Sequence, residues 1–267
     1  MQVGFIGGGT MAEAIISAVL RNQLAEPEEI VVGEPLAQRR QELAERYKIS
    51  VTADNAKAIR GAETVVLAVK PNQFPAVAAR LAGRLSAKQT VVSIMAGVTI
   101  QTLRESLKHP AVVRVMPNPP AQVGEGMCAW TAAAEVDEET RAGVRRLLEA
   151  TGKAIAFDDE RFIDIATAVS GSGAGFVFLL MEAFIDGAVH LGLPRKTASE
   201  MVIQTFLGSA RLAEESGRTP AELRNLTTTP GGTTTEGLLV LEGAGVRAAV
   251  TEALIAAYEK SRAMGGS

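Results

Sequence analysis

A glycine-rich turn near the start of the chain constrains the fold more than any other feature. Gly7, Gly8 and Gly9 follow the apolar segment Val3–Ile6 and precede a helical pattern over residues 11–20. The segment from Gly7 to Ala12 has a G-x-G-x-x-A arrangement. Gly7 permits the tight turn, Gly9 lets a pyrophosphate approach the backbone, and Ala12 allows close packing of helix on strand. The segment therefore predicts a dinucleotide-binding turn.

Strand and helix patterns alternate from this turn to about residue 158. Strands are predicted at residues 30–32, 64–69, 90–94, 112–115 and 154–157, because each segment is short, apolar and rich in β-branched residues. Helices are predicted between them at residues 37–47, 73–85, 100–107 and 138–149. This alternation predicts an α/β domain over residues 1–158, built on a parallel doubly wound sheet.

Helical patterns alone fill the remainder, which predicts an all-α domain over residues 159–267. Helices are expected at residues 163–169, 175–191, 195–216, 221–226 and 235–264. Residues 175–181 are apolar nearly all round, which is typical of a helix buried in a bundle core or in a dimer interface. The most apolar stretch, Phe176–Ile185, contains Glu182 and is too short by this pattern to span a bilayer.

Composition excludes several functional classes. The net charge is −3 and Lys and Arg do not cluster, so we expect no nucleic-acid partner. One cysteine, Cys128, and two histidines predict neither a disulfide framework nor a metal site. A strand pattern begins at Gln2, leaving no room for a signal peptide, and a soluble cytoplasmic protein without membrane attachment is the expectation.

The end of the second predicted strand bears on the choice of cofactor. Glu34 stands where an acidic residue commonly binds the adenosine ribose hydroxyls, and a carboxylate there would repel a 2′-phosphate, which favours NADH. Arg39 and Arg40 follow closely and are either phosphate-binding residues or solvated helix residues. The choice between NADH and NADPH stays open.

The reactive residues present in the candidate sites limit the types of reaction that the protein can catalyse. The candidate sites hold no Ser-His-Asp or Cys-His arrangement, and Lys70 is either a general base or a loop lysine beside the cofactor. Reduction of an already protonated imine needs only a nicotinamide hydride, a shaped pocket and an anchor for the substrate. Asn118, set among prolines at a strand end, is either aimed at a ligand or part of a rigid turn.

A threonine and glycine run at residues 227–235 supplies a candidate anchor. Six threonines flank Pro230, Gly231 and Gly232 directly before a helical pattern. The amino end of a helix favours an anion, whereas an ordinary cap needs only one hydroxyl. The excess of hydroxyls predicts a site for a small carboxylate.

Taken together, these motifs resemble those of the pyrroline-5-carboxylate reductase family over essentially the whole chain. The matching segments are Gly4–Ala12, Ala68–Pro71, Ala96–Gly97, Arg114–Asn118, Ser170–Gly173 and Thr228–Thr234. The resemblance implies a Rossmann-type N-terminal domain and a helical C-terminal dimerisation domain that forms a homodimer, often assembled as a ring of five dimers. It also implies the last step of proline biosynthesis, in which NADPH or NADH gives a hydride to the imine carbon of 1-pyrroline-5-carboxylate to form L-proline.

The resemblance also assigns site residues. The substrate carboxylate is expected at Thr229, Gly231, Gly232, Thr233 and Thr234, with Asn118 lining the pocket near the nicotinamide. Thr234 is the candidate catalytic residue, its hydroxyl near the ring nitrogen, and no dedicated general acid is required. Besides Glu34, the residues expected to contact the cofactor are Ile6, Gly7, Gly8, Gly9, Thr10, Met11, Asn55, Ala68, Val69, Lys70, Pro71, Ala96 and Glu160.

Several positions depart from the family pattern. Ala174-Gly175-Phe176 stands in place of the usual Pro-Ala-Tyr, and Pro119 in place of a common threonine, which bears on substrate range. Alternatives are therefore a related imine reductase for another cyclic imine, and a catalytically silent NAD(P)-binding sensor. A β-hydroxyacid dehydrogenase would need a lysine on an early C-terminal helix, and residues 170–182 contain none.

Overall fold

The computed structural model describes residues 1–265 and divides into two compact units. The first comprises Met1–Ala174 together with the segment that begins at Ala257, and the second comprises Gly175–Ala256. This division by packing falls inside the helical half of the sequence, so the assignment of 1–158 and 159–267 as functional domains stays a prediction.

The first unit is built on one eight-stranded sheet with the order β3-β2-β1-β4-β5-β6-β7-β8. The strands β1 to β6 run parallel, β7 pairs antiparallel with β6, and β8 runs parallel to β7. The Rossmann-type sheet is thus confirmed, but the expectation of a wholly parallel sheet is wrong at its last two strands. The strands are β1 Val3–Ile6, β2 Ile30–Gly33, β3 Ser50–Thr52, β4 Thr64–Leu67, β5 Thr90–Ser93, β6 Val112–Met116, β7 Gly126–Ala132 and β8 Gly152–Ala156.

Helices cover this sheet and bury its apolar side chains. Phe5 and Ile6 of β1, and Val65 and Val66 of β4, are fully buried, as expected for central strands of such a sheet. The helices are α1 Thr10–Arg21, α2 Ala37–Tyr47, α3 Asn55–Ala58, α4 Phe74–Leu81, α5 Ile100–Leu107, α6 Glu138–Glu149 and α7 Arg161–Ala166. Because β1 to β6 are parallel, the residues that follow these strands share one edge of the sheet, where open α/β folds bind ligands.

A π-helical segment, Thr167–Ser172, joins α7 directly to α8, Gly173–His190. The sequence pattern predicts a break here, but the helical run continues from Arg161 to His190. That run is long and apolar enough to cross a membrane by length and composition, a test that core helices of soluble proteins also pass. The expectation that this stretch is too short to span a bilayer is therefore wrong.

The second unit is helical. The sequence predicts a single helix over residues 235–264, but the structure has two, because Gly245 adopts a left-handed conformation (φ +73°) that ends the first. Large apolar side chains such as Phe178, Leu179 and Val240 are more than half exposed. Besides α8, the helices are α9 Arg195–Ser216, α10 Pro220–Leu226, α11 Thr233–Gly243 and α12 Val246–Met264, whose last turns belong to the first unit.

Candidate functional site

The glycine turn leaves the amino end of α1 open. Gly7 has φ +96°, donates its N–H to the Gly33 carbonyl at 2.8 Å, and leaves no room for a side chain, since a Cβ there would lie 2.8 Å from the Ala68 carbonyl oxygen. Gly9 precedes α1 without any side-chain cap, and a Cβ on it would meet nothing within 4 Å. The first N–H groups of α1 therefore face free space, as a phosphate-binding turn requires.

Glu34 lies beside this turn at the end of β2. One carboxylate oxygen accepts the Gly8 N–H at 2.9 Å and the other accepts the Leu36 N–H at 2.9 Å. The residue is only 8% exposed. The structure therefore places the Glu34 carboxylate beside the glycine turn, held by two backbone donors, while its contact with the adenosine ribose stays a prediction.

Both arginines considered for phosphate binding are engaged by protein groups. Arg39 donates through Nε to the Gly8 carbonyl at 2.7 Å and through Nη2 to Glu13 at 2.5 Å. Arg40 donates through Nη1 to the carbonyls of Glu34 and Pro35 at 2.7 and 2.8 Å. Neither is a merely solvated helix residue, since each ties α2 to a neighbouring loop.

A cavity of about 640 Å³ opens beside these groups. It combines the exposed amino end of α1 with the carboxylate at the end of β2, so its residues fit the adenosine and phosphate portions of a dinucleotide. Its lining consists of Gly8, Gly9, Thr10, Glu13, Glu34, Leu36, Ala37, Gln38, Arg39 and Glu42.

The other predicted cofactor residues follow neighbouring strands at the same edge. Ala68 donates its N–H to the Ile6 carbonyl at 2.8 Å and opens the Ala68–Pro71 loop, where the Lys70 side chain is exposed. The Asn55 side chain lies against Gly33, where an added Cβ would be 2.6 Å from its amide oxygen. The structure therefore places these residues beside the glycine turn, while their contact with a cofactor stays a prediction.

The loop after β5, which contains Ala96, packs against the end of α12. Gly97 has φ +73°, and a Cβ there would lie 2.6 Å from the Met264 Cβ. The close approach of helix and loop therefore depends on glycine at position 97.

Glu160, which is also a predicted cofactor residue, is held by an ion cluster in which Arg114 is buried and the carboxylates are partly exposed. Arg114 of β6 is 2% exposed and donates to Glu160 at 2.9 Å and to Asp164 at 2.7 Å. The same Glu160 oxygen accepts the Ile100 N–H at 2.8 Å, and Ser261 of α12 donates to Asp164 at 2.8 Å. Four separate segments of the first unit are therefore joined through the two carboxylates that Arg114 binds, an arrangement that the sequence did not reveal.

Asn118 follows β6 with its amide partly committed to the protein. Its oxygen accepts the Met127 N–H at 2.8 Å, and its nitrogen lies 3.5 Å from the Ser170 carbonyl in the π-helical segment. The Ser170 hydroxyl is buried and lacks a hydrogen-bond partner among the described residues. Asn118 thus fixes the β6–β7 turn, and its exposure to a ligand stays a prediction.

The threonine and glycine loop lies in the second unit, between α10 and α11. Gly231 is left-handed (φ +69°), Gly232 precedes α11 without a side-chain cap, and Thr235 donates its hydroxyl to the Thr229 carbonyl at 2.6 Å. Thr234 lies in the first turn of α11, and among the described residues its hydroxyl caps no backbone N–H. Because the amino end of α11 is uncapped, the loop retains free donors for an anion.

No group of metal-ligating side chains large enough to hold an ion occurs within residues 1–265. The structure thus describes two separate candidate elements, an open glycine turn at the sheet edge of the first unit and an uncapped helix terminus in the second. The residues of the sheet edge can hold a dinucleotide, and a reduced nicotinamide supplies hydride chemistry that protein side chains lack.

Comparisons with known proteins cover the whole chain. The model described as "Pyrroline-5-carboxylate reductase dimerisation" matches residues 160–264, and "NADP oxidoreductase coenzyme F420-dependent" matches residues 2–97. Pyrroline-5-carboxylate reductase of Synechocystis sp. is 42% identical, with 99% of this chain and 98% of the relative covered. That of Pseudomonas aeruginosa is 41% identical over 97% and 95%. The NADP-bound Plasmodium falciparum structure is 30% identical over 99% and 98%, with a TM-score of 0.91.

Proposed function

The chain belongs to the pyrroline-5-carboxylate reductase family, and on that premise we propose how its residues reduce the C=N bond of 1-pyrroline-5-carboxylate to L-proline. The similarity over the full length of the chain supports the proposed activity. The uncapped amino end of α11 supports the proposed binding of the substrate carboxylate. When bound, the reduced nicotinamide supplies the hydride that adds to the imine carbon.

The substrate carboxylate binds at the amino end of α11. Gly231 and Gly232 keep the backbone bare of side chains there, and Thr229 and Thr233 add hydroxyl donors at the same turn. The helix dipole and the free N–H groups stabilise the negative charge without a cationic side chain. An anchor of this kind fixes the ring so that only its C=N carbon is offered to the hydride.

Thr234 acts on the ring nitrogen. As the imine carbon accepts the hydride, the C=N π electrons become the lone pair of a secondary amine. A substrate that enters protonated already carries the N–H of the secondary amine, which takes up its second proton from solvent after hydride transfer, so a neutral hydroxyl near that nitrogen suffices to orient it. Asn118 lines the pocket near the reacting carbon and is held there by its bond from Met127.

The cofactor occupies the sheet edge around the glycine turn. We propose contacts from Ile6–Met11, Asn55, Ala68–Pro71, Ala96 and Glu160, and a preference for NADH. The carboxylate of Glu34, held beside Gly8, supports that preference because it repels a 2′-phosphate. The nearby guanidinium of Arg39 is engaged by Glu13 and the Gly8 carbonyl.

The helical half mediates self-association. Its family model is a dimerisation domain, and the exposed apolar residues of α8 and α11 are suited to burial against a second copy. We propose a homodimer that assembles further into a ring of five dimers in the cytoplasm, a reducing compartment that suits the free thiol of Cys128. Light scattering on the purified protein distinguishes a dimer from a decamer by mass.

Cofactor oxidation tests the activity. The purified protein is mixed with NADH or NADPH and 1-pyrroline-5-carboxylate, and the loss of reduced nicotinamide absorbance is followed. Turnover with formation of L-proline is expected, and no turnover with either cofactor would contradict the assignment. The matched control substrate is 1-pyrroline, which lacks the carboxylate. We expect its KM to be higher by at least about tenfold, since the anchor at α11 has nothing to hold.

A further inference from the structure

Glu13 of α1 stands at the centre of an ion network beside the adenosine cavity. One carboxylate oxygen accepts Arg39 at 2.5 Å, and the other accepts Arg46 and Tyr47, each at 2.9 Å. The Glu13 side chain is 18% exposed, against 71% for Arg46. Three donors from α2 therefore fix the Glu13 carboxylate at the cavity wall.

Each nitrogen of the Arg39 guanidinium donates to one protein acceptor in this network. Its Nε donates to the Gly8 carbonyl at 2.7 Å, its Nη2 to Glu13, and its Nη1 to Glu42 at 3.2 Å. Recognition of a phosphate by arginine relies on a free fork of parallel N–H groups. The fork formed by Nε and Nη2 is therefore occupied by Gly8 and Glu13, and Nη1 is engaged by Glu42.

The charge of the cavity wall also disfavours binding of a 2′-phosphate. Among the described lining residues, three are carboxylates, Glu13, Glu34 and Glu42, and one is a guanidinium, Arg39. A 2′-phosphate would bring about two further negative charges into this wall. A ribose bearing a free 2′-hydroxyl brings none.

We infer that Glu13 is a specificity-determining residue that disfavours NADPH by sequestering Arg39. This inference rests on the proposed function, in that the cavity beside the glycine turn is taken as the adenosine site. It adds a second carboxylate, distant from Glu34 in sequence, to the features that discriminate between the cofactors. Its role is indirect, since it acts through the guanidinium that it holds.

The test is the ratio of kcat/KM for NADPH to that for NADH in Glu13→Gln. The glutamine keeps an acceptor but loses the negative charge that holds Nη2 of Arg39, so the guanidinium is released more easily and the ratio is expected to rise about fivefold, chiefly through a lower KM for NADPH. Glu45→Gln is the matched control, because it removes the same charge from an α2 residue that bonds Gln41 and lies outside the cavity lining. Equal rises in both variants would overturn the inference, since overall charge alone would explain them.

Two further variants separate sequestration from loss of structure. Tyr47→Phe removes one bond to Glu13 but keeps its charge, and its ratio should match that of the wild type. In the Glu13→Gln/Arg39→Gln double variant the rise should vanish, because the released group is gone. Persistence of the rise would overturn the inference.

Arg39→Met in the wild-type background provides a measurement that does not depend on how Glu13→Gln folds. A sequestered Arg39 predicts a change in the ratio of less than about twofold, whereas a loss of NADPH use by tenfold would mean that Arg39 already binds the 2′-phosphate. The wild-type ratio alone tests the proposed NADH preference. A wild type that favours NADPH would contradict that preference, while a rise in Glu13→Gln would still support the role of Glu13.

Discussion

The carboxylate of Glu34 accepts the backbone N–H of Gly8 at 2.9 Å, across the mouth of the dinucleotide turn. The second oxygen is held by the Leu36 N–H, so the negative charge is fixed in place rather than free to rotate away. A cofactor that enters this edge meets a positioned anion at the end of β2. If the adenosine ribose binds here as proposed, that charge discriminates between two dinucleotides that differ only by a phosphate.

Replacing Glu34 with Ser should therefore favour NADPH. Removing the carboxylate relieves repulsion of the 2′-phosphate, and we expect the kcat/KM ratio of NADPH to NADH to rise about tenfold. The measurement is initial rates with each cofactor at saturating substrate. Glu28→Ser, an exposed carboxylate outside the cavity, is the control. An unchanged ratio in Glu34→Ser would show that Glu34 does not face the ribose.

The two outer glycines of the turn should respond differently to alanine. Gly9→Ala adds a Cβ that meets nothing within 4 Å at φ −68°, so we expect normal thermal stability and a cofactor Kd raised at least about tenfold by crowding of the pyrophosphate. Gly7→Ala combines φ +96° with a 2.8 Å approach to Ala68 and should lower the unfolding temperature itself. Cofactor fluorescence titration and thermal unfolding report the two effects. Normal cofactor affinity in Gly9→Ala would place the pyrophosphate elsewhere.

Thr234→Ala should lower kcat/KM for the imine substrate while leaving the affinity for the cofactor nearly unchanged. The Thr234 hydroxyl is assigned to the ring nitrogen, and its loss should lower kcat/KM for 1-pyrroline-5-carboxylate by about 10- to 100-fold. The Kd of the reduced cofactor should stay within twofold of the wild-type value. Thr227→Ala is the control, since that hydroxyl lies in the same loop but donates to the Arg224 carbonyl at the end of α10. Equal loss of substrate use and cofactor affinity would indicate that the loop is only structural.

Arg114→Met should destabilise the first unit. It leaves Glu160 and Asp164 without their shared cation, and because both carboxylates are partly solvated and keep other donors, the expected loss is about 2–3 kcal/mol of unfolding free energy, below that of a fully buried pair. Ser261→Ala removes one hydrogen bond to Asp164 and should cost about 1 kcal/mol. Urea unfolding at fixed protein concentration measures both. Wild-type stability in Arg114→Met would mean that the two carboxylates find other partners.

Lowering the pH should weaken the stabilising contribution of the ion network around Glu13. Burial raises the pKa of Glu13, but hydrogen bonds from Arg39 and Tyr47 outweigh it and hold that pKa below its ordinary value of 4.5. A depressed native pKa contributes stability that is present above pH 4.5 and is lost as the pH falls through the native value. Glu13→Gln should therefore lose less stability than the wild type below pH 4.5 in thermal unfolding. Parallel curves for the two proteins would exclude this contribution.

The local sequence predicted those strands whose residues themselves have a high preference for β-structure. The central strands β1, β4 and β5 consist largely of apolar and β-branched residues that are buried on both faces. Strand β7 was missed because glycine, alanine and cysteine give it little intrinsic preference for a strand, and its pairing with β6 and β8 decides its conformation. The break at Gly245 and the π-helical segment also depend on backbone geometry that a periodic pattern does not report.

In the candidate site, too, some features were predictable from the local sequence and others were not. The glycine turn and Glu34 were predicted because their positions follow from the strand–turn–helix order alone. The bonds from Arg39 and Arg46 to Glu13 join residues far apart in the sequence, and nothing in local spacing pairs them. The cluster around Arg114 likewise depends on Ser261, which reaches Asp164 only through the path of α12.

The return of α12 to the first unit limits how this enzyme can be recombined. The second unit is inserted into the first in chain order, because Ser261 and Met264, which follow it, contact Asp164 and Gly97. A chimera that exchanges everything after residue 158 would carry foreign versions of α7 and the last turn of α12 into the nucleotide-binding unit. Grafts that exchange only Gly175–Ala256 keep both native contacts, so they are the natural units for shuffling helical domains between relatives.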